Sequence, residues 1–144
     1  MFTELKLFIG EPSRIETYMC GFKIDPYKTG LRKTLKEYEE LGLRYIWENG
    51  EEGVTSAPTW RTVNERLAEG KTISRASIIF FLNRMVDQGV LSWKDATGKG
   101  GHDRIYITNL DEVEYRKYIL RTVVKSMMED FPEQTKEVLN EFHT

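Results

Sequence analysis

Apolar and polar positions along the chain fall into four blocks with different spacings. Residues 1–30 carry scattered apolar side chains (Phe2, Leu5, Leu7, Ile9, Ile15, Tyr18, Phe22, Ile24), punctuated by Gly10, Pro12, Gly21, Pro26 and Gly30. Neither a two-residue nor a 3.6-residue period holds there, which predicts an arm of short extended pieces packed on the main domain. From Lys33 the period is helical. Leu31, Leu35, Tyr38, Leu41, Tyr45 and Ile46 recur at spacings of three and four, and Asn49-Gly50 supplies a C-terminal stop. Residues 51–58 read as a loop, and Trp60, Val63 and Leu67 mark a second, shorter helix ending at Gly70.

Ser74 suits the N-cap of a third helix running to about Gln88, with Gly89 as its stop. Residues 90–94 then read as a strand, 95–103 as a glycine-rich loop, and 104–108 as a second strand of alternating character. Residues 111–144 return to helical spacing. Val113, Leu120, Val124, Met127 and Phe131 form one stripe, and Pro132 opens a last helix carrying Val138, Leu139 and Phe142. Three helices followed by a hairpin is the winged helix-turn-helix order. The expected fold is mainly α (α+β), with a two-stranded wing, an N-terminal arm over 1–30, the winged helix over 31–109 and a C-terminal helical segment over 110–144.

Composition narrows the class. Of 144 residues, 40% are hydrophobic and 31% charged, enough for a packed core and unlike a disordered chain. The net charge of −2 advertises no polyanionic partner, but its distribution does. Residues 59–104 hold eight Lys/Arg against five Asp/Glu, a local +3, while both flanks are acidic. No apolar run approaches the roughly 18 residues of a membrane span, and 7–9 is too short for a signal-peptide core. The lone Cys20 has no disulfide partner and reads as a small hydrophobe, so a cytoplasmic setting is expected. His102 and His143 lie far from it and from each other, so no metal site is expected. Trp47, Trp60 and Trp93 read as core anchors, Trp93 with some exposure on the wing strand.

On a helical wheel Ile78, Phe81, Leu82 and Met85 share one face, as a core-packing helix requires. The runs Ser-Arg-Ala-Ser-Ile (74–78), Phe-Leu-Asn-Arg-Met-Val (81–86) and Gln-Gly-Val-Leu (88–91) resemble the recognition helix and exit turn of winged helix repressors. With Leu-Arg-Tyr-Ile-Trp-Glu-Asn-Gly (43–50) in the first helix, the resemblance is closest to the penicillinase-repressor family and looser to the MarR group. It covers roughly residues 34–108. It implies a dimeric, sequence-specific regulator of transcription, acting as a repressor on double-stranded DNA, with recognition helix 74–88 in the major groove and wing 95–103 on the backbone or minor groove.

Ser74, Arg75, Ser77, Asn83 and Arg84 are then the candidate contacts on the helix, and Lys94, Lys99, His102 and Arg104 those on the wing. Arg can fork onto guanine and Asn can pair with adenine. Apolar residues on two faces of the last block imply one face packed inside and one paired with a second copy, with Leu120, Val123, Val124, Met127 and Phe131 as the homodimer seam.

Other chemistries find less support. The Gly-Lys-Gly-Gly-His loop (98–102) lacks the spacing and following helix of a phosphate-binding P-loop. No nucleophile–base pair, carboxylate motif or cofactor fingerprint occurs, so neither enzymatic activity nor a cofactor is expected. Nothing identifies a small-molecule effector. Ile79 and Phe80 point away from the core on the same wheel, which suits either thymine methyl groups or a protein partner. The competing reading is therefore a winged helix used as a protein-interaction module of a transcription or replication assembly.

Overall fold

A computed structural model of the chain describes residues 22–96 and 103–143. Leu31 and Leu35 are both buried, but from a 3-10 turn, Gly30–Lys33, and the bend that follows it, and not from the first helix as their spacing predicts. Lys36 is extended, and α1 (Glu37–Asn49) begins after it. Glu39 closes that end: its Oε1 accepts the Lys36 N–H at 2.9 Å. Leu43 and Ile46 of α1 meet Val63 of α2 (Ser56–Arg66) and Ile78, Phe81, Leu82 and Met85 of α3 (Arg75–Asp87) in one core. Two indoles tie its edges, Trp47 Nε1 donating to the Leu110 carbonyl at 2.9 Å and Trp60 Nε1 to that of Ile73 at 2.8 Å.

Gly42 sits where α1 crosses its neighbours, and a Cβ there would stand 3.7–3.9 Å from Val63, Phe81 and Thr59. That is ordinary van der Waals contact on a helical backbone. Gly42→Ala is therefore expected to raise stability by about 0.5–1 kcal/mol, because glycine loses more backbone entropy in a helix than alanine does. Urea denaturation checks it; a lower midpoint would mean that the three-helix crossing has no room for one methyl group.

Ser74 caps α3, its Oγ accepting the Ser77 N–H at 3.1 Å, and Gly89 (φ 83°) turns the chain into β1 (Leu91–Asp95). β1 pairs antiparallel with β2 (Arg104–Thr108), from Leu91 opposite Thr108 to Asp95 opposite Arg104. The loop that the sequence left before α2 adds a bridge to this hairpin. Val54 and Tyr106 exchange both backbone hydrogen bonds, at 3.0 and 2.8 Å. The element order and the hairpin make this a winged helix-turn-helix fold.

α4 (Glu112–Asp130) starts from a reciprocal cap between Asp111 and Glu114 and leads through Pro132 into α5 (Pro132–Glu141). Its first turns dock on the domain. Tyr115 is buried against Trp47 and Tyr118, its hydroxyl 3.2 Å from Thr34 Oγ1, and burial pushes that phenol up to about 12. Arg44 forks onto Glu112 at 2.9 and 3.4 Å, and the guanidinium holds that carboxyl below its usual range. Phe22 meets Tyr118 edge-on at 6.5 Å, bringing the end of the N-terminal segment onto α4. Residues 1–21, including Cys20, lie outside the described residues.

Candidate nucleic-acid interface

The recognition-helix candidates divide according to which side of α3 they occupy. Ser74, Arg75 and Ser77 form its first turn, with Ser74 and Arg75 exposed and Ser77 half-buried. Arg75 Nη2 reaches Ser56 Oγ at 3.3 Å, and Ser56 is the first residue of α2. The positive ends of two helices thus meet at this edge, which favours a phosphate at their backbone N–H groups with the Arg75 guanidinium beside it. Phe80 stands out from the same helix with 62% of its surface exposed, and Ile79 is half-buried.

Arg84 and Asn83, further along, are engaged within the protein. Arg84 Nη2 donates to Glu39 Oε2 at 2.8 Å, both side chains being largely shielded, and its guanidinium lies 5.4 Å over the Phe81 ring. The sequence expectation of a DNA contact at Arg84 therefore changes: its charge already has a buried partner on α1. Asn83 Oδ1 accepts from Tyr106 Oη at 2.7 Å and from Arg104 Nη1 at 3.0 Å. Pairing with adenine needs the amide oxygen as an acceptor as well as the amide nitrogen as a donor. Two donors already fill the two lone pairs of that oxygen, so the bidentate pair expected of Asn83 is not available in this arrangement.

On the hairpin, Lys94 is exposed on β1. Arg104 stacks on Trp93, its guanidinium carbon 4.1 Å from the ring centroid. Trp93 is 40% exposed, in line with the exposure expected of it on the wing strand, and serves there as a platform for Arg104. Lys99 and His102, with most of the expected wing, lie outside the described residues. Spacing rules could not find Glu39, Tyr106 or Trp93 as partners, because each contact joins residues on different elements. The alternation of β2 does place Arg104 and Tyr106 on one side of the strand.

The C-terminal candidates lie on α4 beyond its docked turns. Leu120 (63% exposed), Met127 and Phe131 are exposed, while Val123 and Val124 are half-buried. The inward face is the one carrying Tyr115, Tyr118 and Ile119; the Val113–Leu120–Met127 stripe faces outward.

A family model described as penicillinase repressor matches residues 36–143, from the start of α1 to the end of α5. The chain belongs to the penicillinase repressor family. As a penicillinase repressor-family protein it is a DNA-binding winged helix regulator of the repressor type and not an enzyme. No curated protein and no solved structure gives a significant match. Among the described residues, no helix is long and apolar enough to cross a membrane, and no group of three or more His, Cys, Asp or Glu side chains could hold a metal ion.

Proposed function

We propose that the chain binds duplex DNA as a two-fold dimer, laying the first turn of α3 in the major groove and the β1–β2 hairpin along the flanking backbone. The observation that carries this reading is the exposed edge where Ser74 and Arg75 meet the start of α2. Four core residues fix the opposite face of α3, so this edge is presented rigidly. Of the residues expected to touch DNA, Ser74, Arg75, Ser77 and Lys94 remain the direct contacts, with Lys99 and His102 on the wing. A regulator of genomic DNA works where that DNA is, so a cytoplasmic setting belongs to the same reading.

Substitution separates base reading from backbone attraction. Arg75→Ala should cost about 1–3 kcal/mol of discrimination between the preferred site and its single-base variants. Lys94→Ala should weaken all duplexes alike and lower the log–log salt slope by about 0.9. Competition binding with a single-base variant series checks both. Loss of discrimination from Lys94→Ala but not from Arg75→Ala would overturn the assignment of roles.

The outward stripe of α4 supports the dimer, since a run of exposed Leu, Met and Phe on one helix face is what a second copy would cover. Two recognition helices related by a two-fold axis would then address half-sites about 34 Å apart. Leu120→Glu combined with Met127→Glu should yield monomers in sedimentation with helix content unchanged; a persistent dimer would move the interface elsewhere. Phe80 favours one other reading, a protein-docking face on α3. Phe80→Ser would then abolish partner binding and leave DNA affinity intact, whereas on the DNA reading it weakens selection for thymine.

A further inference from the structure

We infer that Asn83 is a latch that sets the angle of the wing on the recognition helix, acting through Arg104 and Trp93 without reading a base. Its DNA consequence rests on the binding mode proposed above; its structural part does not.

One oxygen joins two elements. Asn83 Oδ1 on α3 takes the Tyr106 hydroxyl at 2.7 Å and the Arg104 guanidinium at 3.0 Å, both from β2. Guanidinium and its N–H groups can only donate, so the atom facing Arg104 must be the amide oxygen and not the nitrogen. The Arg104 guanidinium lies over the Trp93 ring of β1, and its backbone stands opposite Asp95 at the end of the described hairpin. Both backbone groups of Tyr106, its N–H and its carbonyl, are meanwhile bonded to Val54. The hairpin is thus hinged at its base by the Val54 bridge and fastened to α3 by Asn83. Without that oxygen, the Tyr106 hydroxyl and the guanidinium lose their common acceptor, and nothing else in the described contacts ties Arg104 to α3.

The first test needs no DNA. A guanidinium stacked on an indole has side-chain protons shifted upfield by the ring current, so the Arg104 δ-protons report the stack by NMR. Asn83→Ala should move them most of the way to their unstacked positions, and Asn83→Asp, which keeps an acceptor oxygen, should restore them. Asn83→Leu, similar in size and without an acceptor, is the second variant should Asn83→Ala not fold, and it should move the same protons. In DNA titrations Asn83→Ala should weaken preferred and unrelated duplexes by a similar factor, about tenfold, leaving base preference at every position unchanged. Unshifted Arg104 protons in Asn83→Ala, or in Asn83→Leu if only that variant folds, would overturn the latch. So would a loss confined to one base position, which is the mark of direct reading. Absence of DNA binding by the unaltered chain would instead refute the binding mode and leave the NMR result standing.

Discussion

Arg84→Ala is expected to lower the unfolding free energy by about 3–5 kcal/mol, the range for removing one partner of a buried ion pair. The Glu39 carboxylate has 5% of its side chain exposed and uses both oxygens, one for Arg84 at 2.8 Å and one for the Lys36 N–H at 2.9 Å. Taking away the guanidinium leaves a buried charge with no cation beside it, only the helix cap and the Tyr38 hydroxyl. The Phe81 ring also loses the cation above it. The damage is conditional on the carboxylate. Glu39→Gln combined with Arg84→Met removes both charges and should recover most of the loss, because apolar replacement of a whole buried pair is often neutral. Urea midpoints for the two variants, at unchanged slope, make the comparison. A cost below about 1 kcal/mol for Arg84→Ala would put the pair in the class of solvent-screened surface bridges.

Gly53→Ala is expected to be the most damaging single-methyl change. Gly53 has φ 76°, and a Cβ would stand 2.6 Å from the Tyr106 carbonyl oxygen, 2.8 Å from Ile105 Cγ2 and 3.0 Å from Ile107 Cγ1. The left-handed backbone alone costs about 1–3 kcal/mol for a non-glycine residue. The clash with a backbone carbonyl adds to that, since no flexible side chain can yield. Relief requires the Val54–Tyr106 bridge to open, so protection of those two amides against hydrogen exchange should fall further than that of the α3 core. Unchanged protection at Val54 and Tyr106 would show that the loop before α2 does not depend on this close approach.

The local rules of the chain reached the elements and stopped at their partners. The α3 wheel separated Ile78, Phe81, Leu82 and Met85 from Phe80 correctly, because helix periodicity and burial are coupled residue by residue. Leu31 and Leu35 share the helical spacing of Tyr38, although Leu31 lies in a 3-10 turn and Leu35 in the bend after it, because a tight turn also buries residues at short spacing. The Val54 bridge involves a single residue pair and leaves no alternation to detect. Glu39–Arg84 and Asn83–Arg104 join residues 45 and 21 positions apart, and nothing local distinguishes such a charge or amide from a solvated one. Direct readout was therefore expected of two residues that the tertiary structure occupies internally. The same limit applies to α4, whose two apolar stripes are equivalent until Tyr115 is seen against Trp47.

Duplex DNA titrated at several salt concentrations is the most direct test of the binding mode, using fragments recovered by the protein from genomic DNA and a scrambled control. The account predicts tighter binding to the recovered fragments, with log K falling linearly against log salt at about 0.9 per phosphate contact, several units in all. Absent binding, or an affinity insensitive to both salt and sequence, would contradict it.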